Sequence, residues 1–148
     1  MRATELLARD HRAVRELFLQ FERTPLDDGS SRQDLFDRIV EELDAHAKAE
    51  EELFYPAVRS ASRRIDDAEA GHAHLRSFIA TARTYEPASS EFTAGVRLVK
   101  RIVFAHVMEE ESGVFLDAER MGTLALERLG AQLAERKEAL ARAVGRAA

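Results

Sequence analysis

The sequence contains no cysteine, and only three prolines and seven glycines interrupt its 148 residues. Without cysteine the chain can form no disulfide, iron–sulfur cluster, thiolate zinc site or thiol nucleophile. Any metal site must therefore use nitrogen and oxygen ligands. Because prolines and glycines are few, long stretches of the chain can follow one regular periodicity.

The sequence also has fewer basic than acidic residues: 22 lysines and arginines against 27 aspartates and glutamates, which gives a net charge of −5. Such a surface repels phosphate backbones, so we expect no nucleic-acid partner. The N-terminus lacks the apolar core of a signal peptide, and no apolar run approaches the length of a membrane span. We therefore expect a cytoplasmic protein with no membrane partner and with one hydrophobic core.

Apolar residues recur at spacings of three and four through nearly the whole chain, and no strand-like alternation occurs. We expect Thr4 and either Ser89 or Ser90 to cap helices, and Pro56 to kink the second helix or end it early. The periodicity predicts five helices, over about residues 4–22, 31–60, 66–85, 91–117 and from the segment after residue 123.

The predicted fold is all-α. Four helices joined by short loops favour an antiparallel up-down-up-down four-helix bundle over residues 1–120. The remaining residues, 121–148, form an extra C-terminal helix that packs on the bundle or on a partner. A homodimer through this helix is one arrangement that its apolar spacing fits.

Four of the five histidines lie on the apolar stripes, one on each bundle helix. His74, two residues after one of them, is turned by roughly 200° and faces the other side. A single inward histidine is usually a hydrogen-bonded core residue, but four at matching positions favour a shared site. The four are His11, His46, His72 and His106.

Two glutamates share the inward face with the histidines. Glu50 follows His46 by four residues and Glu110 follows His106 by four, so each pair stacks on one helix face. Burial of a lone carboxylate is costly unless it is paired or bound to a metal. No lysine or arginine falls on the matching inward stripe, so we expect the counter-charge to be a cation from solution.

The spacing of these residues repeats. His11 and His46 are 35 positions apart, and His72 and His106 are 34 apart, which describes one helical hairpin used twice. Two such hairpins bring four imidazoles and two carboxylates to one level of the core, the ligand set of a dinuclear site for iron or a similar first-row metal. Manganese and zinc suit the same donors. The neighbouring acids are expected mostly on a solvated face, with a minority serving as alternative ligands or as acceptors behind the ligands: Glu51, Glu52, Glu109 and Glu111.

Four motifs carry a resemblance to a known family: "DHR" at 10–12, "HAKAEEELFYP" at 46–56, "GHAHLR" at 71–76 and "HVMEEES" at 106–112. Over about residues 4–117 the chain resembles the hemerythrin-like family, also called the HHE cation-binding domain. The resemblance implies an antiparallel bundle around two non-haem iron ions that bind dioxygen or react with it. It also implies an oxo or hydroxo bridge between the irons and the following ligands: His11 and His46 on one iron, His72 and His106 on the other, and Glu50 and Glu110 bridging.

The chain departs from the oxygen-carrying members of that family. They place two histidines four apart on the third helix, whereas Ala68 and Arg76 stand at the two positions four residues from His72. They also use a shorter aspartate where Glu110 stands. The missing histidine implies an open or water-filled metal position, which weakens the case for a pure reversible oxygen carrier.

Three functions remain open from the sequence. The leading one is a diiron protein that binds dioxygen, nitric oxide or peroxide for sensing, storage or iron handling. The second is a diiron oxidoreductase with peroxidase-like or ferroxidase-like turnover. The third is an interaction or structural bundle that a metal stabilises. A signalling role is expected to need a separate partner, because the sequence shows no attached output domain.

Overall fold

The computed structural model describes the backbone of residues 1–147 and the side chains of residues 1–145. Within that part of the chain all regular structure is helical and no strand occurs. Because α2, π1 and α3 run on without a break, as do α5, π2 and α6, the chain forms five helical rods. The elements are α1 (Ala3–Arg23), α2 (Gly29–Ala49), the π-helical turn π1 (Glu50–Phe54), α3 (Tyr55–Val58), α4 (Ile65–Ala82), α5 (Ser90–Glu109), the π-helical turn π2 (Glu110–Val114), α6 (Phe115–Glu119) and α7 (Thr123–Ala147).

The four bundle rods pack as two helical hairpins. α1 packs against α2, and α4 packs against α5. We call residues 3–58 the first hairpin and residues 65–119 the second hairpin. α7 packs along α1 and α2 of the first hairpin. The predicted all-α fold, a four-helix bundle with an extra helix, is confirmed. Among the described residues, no helix combines the length and apolar character that a bilayer crossing requires.

Two apolar clusters fill the bundle, one on each side of a polar layer. In one cluster the rings of Phe54 and Phe115 meet edge-on, with centroids 5.7 Å apart. In the other, Phe36 and Phe92 meet edge-on at 5.4 Å. In each bundle rod, the predicted histidines and glutamates lie near the point where residues of one cluster give way to residues of the other. The fold therefore encloses the polar layer in apolar packing.

The start of α1 differs from the sequence expectation. Thr4 is not the cap, because the helix begins one residue earlier, and the backbone N–H of Arg2 donates to Glu5 at 3.0 Å. The Thr4 hydroxyl donates instead to Glu119 at 2.7 Å. The prediction that Thr4 caps α1 is therefore wrong, and its side chain ties α1 to α6 instead.

Two other helix starts follow ordinary capping. Ser89 caps α5, as predicted, since its side chain accepts a hydrogen bond from the N–H of Phe92. α2 begins about two residues before its predicted start, because Asp28 accepts the N–H of Ser31 and so caps the helix there. Both caps fix the loop ends at the side of the bundle that lies away from the polar layer.

The second and fourth rods each contain a π-helical turn, where the sequence predicts only a disturbance at Pro56. The N–H of Tyr55 donates to the carbonyl of Glu50, and the N–H of Phe115 donates to that of Glu110. Residues five apart are about 1.4 turns apart in an α-helix, whereas a π-turn makes them neighbours. Tyr55 therefore shares the face of Glu50, and Pro56 lies just after the π-turn in a rod that continues to Val58.

α7 is tied to the start of the chain by close packing at Gly130. A Cβ atom added there would lie 2.2 Å from the carbonyl oxygen of Met1, so the position admits no side chain without movement of the backbone. Leu126, Leu129 and Leu133 of the same helix are buried in the apolar cluster that contains Phe54 and Phe115. α7 is thus part of this bundle's packing, and a homodimer through it stays a prediction.

Candidate metal centre

The structure brings all six sequence-predicted site residues into the polar layer. The two glutamates are 0 % and 1 % exposed, three of the histidines are buried, and the fourth has a side chain 14 % exposed. His74 lies outside the layer and is exposed, as predicted. The six are His11 on α1, His46 on α2, Glu50 on π1, His72 on α4, His106 on α5 and Glu110 on π2.

The first of two ligand groups joins the two histidines of the first hairpin. His11 Nε2 lies 3.1 Å from His46 Nε2. Glu50 Oε1 lies 2.9 Å from His46 Nε2, and Glu110 Oε2 lies 3.3 Å from His11 Nε2. All four ligand atoms of this group lie within 4.8 Å of one another. They converge as the donors of one metal ion do.

The second ligand group joins the two histidines of the second hairpin. His72 Nε2 lies 3.2 Å from His106 Nε2, and Glu50 Oε2 lies 3.1 Å from His72 Nε2. Glu50 therefore gives one oxygen to each group, as a bridging carboxylate does. Glu110 belongs to the first group, and its Oε2 lies 3.7 Å from His106 Nε2. A bridge through Glu110 stays a prediction.

Two oxygens in the layer lack a hydrogen-bond partner within the described residues: Glu50 Oε1 and Glu110 Oε2. Each faces an imidazole Nε2 closely, yet neither contact forms a hydrogen bond. A buried carboxylate oxygen without a partner costs free energy, and a cation between these atoms removes that cost. Imidazole and carboxylate donors suit iron, manganese and zinc. The residues present therefore fit a pair of first-row metal ions.

Three of the four imidazoles rest on a carboxylate through Nδ1. The pairs are His11 with Glu111 at 2.8 Å, His46 with Asp10 at 3.2 Å, and His72 with Glu51 at 2.8 Å. Such a contact places the proton on Nδ1 and leaves Nε2 free to bind a metal. Within residues 1–145, no group hydrogen-bonds to Nδ1 of His106. The sequence predicted that a minority of the neighbouring glutamates would support the ligands in this way, and Glu51 and Glu111 are the two that do. The role of Asp10 was not predicted.

Two of the supporting carboxylates are themselves held by a cation. Lys137 of α7 contacts Asp10, and Arg76 Nη1 lies 2.9 Å from Glu51 Oε1. The contact with Lys137 extends the centre to the C-terminal helix. No signal in the sequence points to that pair, because its members are 127 positions apart and lie on helices that periodicity alone cannot dock.

Sequence reasoning also missed Tyr55, which is fully buried among the ligands. Its hydroxyl donates to Glu110 Oε1 at 2.7 Å and lies 3.2 Å from both Glu50 Oε2 and His72 Nε2. The sequence contained a signal for this position. Tyr55 and Phe115 are 60 positions apart, the spacing that also separates Glu50 from Glu110, so an aromatic residue recurs at the same place in the repeat. An α-helical periodicity turns residue 55 away from the centre, and only the π-turn turns it back.

The charges of the layer shift the pKa values of its members. Burial disfavours protonated His46, but the charge of Glu50, the hydrogen bond with Asp10 and the close contact with Glu50 together outweigh burial and raise the His46 pKa to about 10. The pKa of His72 is also raised, because its contacts with Glu50 outweigh burial. Burial wins at His106 and lowers its pKa. Burial and the two glutamate charges raise the pKa of Tyr55, so its hydroxyl stays protonated.

Three spaces adjoin the layer. A small, partly open cavity of about 30 Å³ is lined by the four imidazoles and by apolar residues that include Leu43 and Leu75. A groove of about 890 Å³ between α2, α4 and α7 shares Leu43, Leu75, Ala47 and His72 with the cavity, so these four residues form the wall between the two spaces. A polar pocket of about 320 Å³ opens beside His106 and Glu110 and includes Ala68, four residues before His72.

Comparison with known proteins gives a family match over most of the chain. The sequence profile of the family described as hemerythrin HHE cation binding domain matches residues 2–116. The uncharacterised protein Rv2633c of Mycobacterium tuberculosis is 28 % identical over 148 residues, which cover 95 % of this chain and 88 % of that protein. The matched region contains all six residues of the two ligand groups.

A solved structure agrees with the same assignment. The crystal structure of a hemerythrin HHE cation binding domain-containing protein from Mycobacterium kansasii, a homologue of Rv2633c, matches with a TM-score of 0.87 at 26 % identity. The match covers 95 % of this chain and 87 % of that chain. The extra helix is therefore compared along with the bundle.

A relative from Nostoc sp. bears the name DNA nickase. It is 32 % identical over 117 residues, which cover 78 % of this chain and 33 % of that protein. The chain thus spans about a third of the length of the Nostoc protein, and the name describes that longer protein. The expectation that this chain has no nucleic-acid partner stays a prediction.

Proposed function

This chain belongs to the hemerythrin HHE cation binding domain family, and we propose that it holds two non-haem iron ions and binds dioxygen or a related small molecule at them. The related molecules are nitric oxide and peroxide. The roles that such binding would serve are sensing, storage or iron handling. The ligands are the six residues of the two ligand groups, with Glu50 placed to bridge.

The two unpaired carboxylate oxygens carry the proposal. Glu50 and Glu110 are buried, and each turns an oxygen that has no hydrogen-bond partner among the described residues toward imidazole nitrogens. A hydrogen-bonded core histidine accounts for one inward imidazole, but not for two pairs of Nε2 atoms that face each other at 3.1 and 3.2 Å. Metal ions satisfy all of these atoms at once.

The chain's own residues prepare the site. Asp10, Glu51 and Glu111 hold protons on three Nδ1 atoms, so the matching Nε2 lone pairs point inward. The Tyr55 hydroxyl holds one oxygen of Glu110 and leaves the other free. When bound, iron would supply redox chemistry and an open coordination position for the small ligand.

The size of the cavity among the imidazoles supports a small ligand. Its volume of about 30 Å³ fits one water-sized molecule, and apolar side chains line most of it beside the imidazoles. A diatomic molecule fits such a space and a larger substrate does not. Leu43 and Leu75 lie with Ala47 and His72 in the wall toward the groove, so movement of the two leucines would admit the ligand from that side.

A second candidate is turnover of peroxide or oxidation of iron at the same centre. The pocket of about 320 Å³ beside His106 favours it, because this pocket is polar and opens where Ala68 leaves a ligand position free. A hydrophilic reactant could reach the second ligand group through it. The third reading, a bundle that metal only stabilises, predicts metal binding without any response to oxygen.

The test is metal content on protein purified without added metal, with absorption spectra recorded in air and after reduction. We expect about two irons per chain and a near-ultraviolet absorption that bleaches on reduction and returns in air. Colourless zinc would retain the ligand groups and reject the oxygen chemistry. Protein that contains no metal and takes up no ferrous iron would reject the centre. Steady consumption of peroxide would favour the second candidate.

A further inference from the structure

The two hairpins support their metal-binding histidines differently. Asp10 stands directly before His11, and Gly71 stands directly before His72, so these two positions are equivalent in the repeat. Asp10 reaches across the first hairpin and contacts Nδ1 of His46 at 3.2 Å. Gly71 has no side chain with which to do the same for His106. One hairpin therefore has a carboxylate behind its second histidine and the other does not.

The Asp10 carboxylate is anchored from outside the bundle. Its side chain is 11 % exposed, and one oxygen, Oδ2, contacts both His46 Nδ1 and the ammonium group of Lys137 on α7. The Lys137 side chain is itself only 17 % exposed. A partly buried ion pair of this kind holds the carboxylate in one place more firmly than solvent would. The C-terminal helix thereby fixes the orientation of a ligand that it does not touch.

Gly71 does more than omit a carboxylate. A Cβ atom added at Gly71 would lie 3.1 Å from Nδ1 of His106, a contact tighter than ordinary packing. The imidazole of His106 therefore occupies the space that a side chain at residue 71 would fill. Its Nδ1 faces the backbone of α4, and within residues 1–145 no group hydrogen-bonds to it.

We propose that Asp10, anchored by Lys137, is a positioning residue that makes the two metal positions unequal, so that the ion held by His11 and His46 binds first and more tightly. The ion held by His72 and His106 binds second. This inference rests on the proposed function, since it assumes that both ligand groups take metal. It extends that function by giving the order of loading and by assigning a role to α7.

General chemistry of metal sites supports the ranking. A carboxylate on the far nitrogen of a ligating imidazole fixes the ring and raises its basicity, and its loss typically weakens metal binding by about 10-fold to 100-fold. In the first ligand group both imidazoles have this support and two carboxylates converge with them. In the second group only His72 has it, and one carboxylate converges.

The experiment titrates metal-free protein with cobalt(II), followed by its visible absorption, and with zinc, followed by calorimetry. In the unchanged protein we expect two resolved steps. Asp10→Asn keeps the shape of the side chain and removes its charge, and it should weaken the first step by about 10-fold or more while leaving the second. Asp27→Asn, an equal charge change at an exposed loop residue, should leave both steps as they were.

Variants of Lys137 separate positioning from simple stabilisation. Lys137→Met removes the ammonium group and should weaken the first step by a smaller factor, and Lys137→Arg should restore it. Nuclear magnetic resonance of the zinc-loaded protein gives a second readout. The Nδ1 proton of His46 should be protected from exchange in the unchanged protein and unprotected in Asp10→Asn, whereas circular dichroism should show the same fold in both.

The outcomes distinguish this inference from the function on which it rests. Equal steps in the unchanged protein, or an Asp10→Asn titration like that of the unchanged protein, would overturn the inference and leave the dinuclear centre standing. A weakened second step with the first intact would overturn it as well, because the support would then act on the other ion. No uptake of either metal by the unchanged protein would overturn both.

Discussion

The two hairpins present the same ligands on the same helical frame, yet they differ in the side chains behind those ligands. Asp10 in the first hairpin is replaced by Gly71 in the second, and Tyr55 is replaced by Phe115. α7 covers the first hairpin. The comparison teaches that a repeated hairpin can deliver two sets of donors, while the residues around the donors decide whether the two sets behave alike.

The aromatic pair shows the difference most clearly. The Tyr55 ring lies beside His72, with centroids 5.4 Å apart, and its hydroxyl donates to Glu110. Phe115 stacks nearly flat on His11, at 5.7 Å and 6°, and has no hydroxyl to donate. Each hairpin thus packs an aromatic ring on an imidazole of the other, but only the ring of the first hairpin carries a hydroxyl that donates a hydrogen bond across.

Among the variants that test this comparison, those of the two glutamates should change metal binding most. Glu50 gives an oxygen to both ligand groups, whereas Glu110 belongs to one. We therefore expect Glu50→Gln to lose both ions and Glu110→Gln to keep the ion of the second group, as measured by elemental analysis of folded protein. Equal losses in the two variants would mean that both glutamates bridge.

The next effect concerns the helix that covers the first hairpin. Leu126 is fully buried, so Leu126→Ala should lower the free energy of unfolding by about 2–5 kcal/mol in urea titrations of metal-free protein. Leu124, 62 % exposed in the same helix, is the matched control, and its alanine variant should change stability by less than about 0.5 kcal/mol. Similar small changes in both would show that α7 does not stabilise the bundle in solution.

A glycine substitution should sharpen the contrast between the metal positions. Gly71→Ala places a Cβ atom 3.1 Å from His106 Nδ1, so it should push that ring aside and weaken the second metal step by roughly 10-fold. Gly29→Ala is the control, because the nearest atom to its added Cβ would be at an ordinary 3.5 Å. Unchanged binding of both ions by Gly71→Ala would show that His106 has room to move.

The dependence of stability on pH in the metal-free protein tests the contrast between His46 and His106. His46 has a pKa raised to about 10, so the stability that it contributes is fully present below its ordinary 6.5 and is lost as pH rises toward 10. His106 has a lowered pKa, so its protonation favours the unfolded chain and costs stability as pH falls below 6.5. Proton resonances of the two imidazoles should titrate on opposite sides of 6.5. If both imidazoles titrated above 6.5, or both below it, the predicted opposite shifts of their pKa values would be wrong.

Most of the fold could be predicted from the hydrophobic periodicity of the sequence. Five apolar stripes and short loops predict five helical rods, because burial of one helical face is the main constraint on such a sequence. Pairs four residues apart predict where His46 and Glu50 meet for the same reason. The prediction for Thr4 was wrong, because a hydroxyl near a helix start can serve as a cap or as a donor to another helix. Only the docking of α1 against α6 decides between these roles.

The rest of the site depended on features that periodicity does not contain. Tyr55 reaches the centre only because a π-turn follows Glu50, and α-helical spacing points it elsewhere. Lys137 meets Asp10 because α7 docks on the first hairpin. Pairwise contacts between distant segments need the tertiary arrangement, whereas the ligands themselves were visible because they repeat along the chain.

The π-turns have a consequence for how such a rod can change over time. A π-turn accommodates one residue more than an α-turn, so it works as an insertion that the helix absorbs without breaking. The residues before π1 keep the register that metal binding requires, and the residues from Tyr55 onward follow the register of the apolar cluster. Deletion of one residue inside the turn would remove the extra residue and leave an unbroken α-helix, in which the residues downstream keep their positions. Each turn therefore lets the ligand residues and the core residues of one rod keep separate helical registers. Substitutions in one set can then accumulate without displacing the other set.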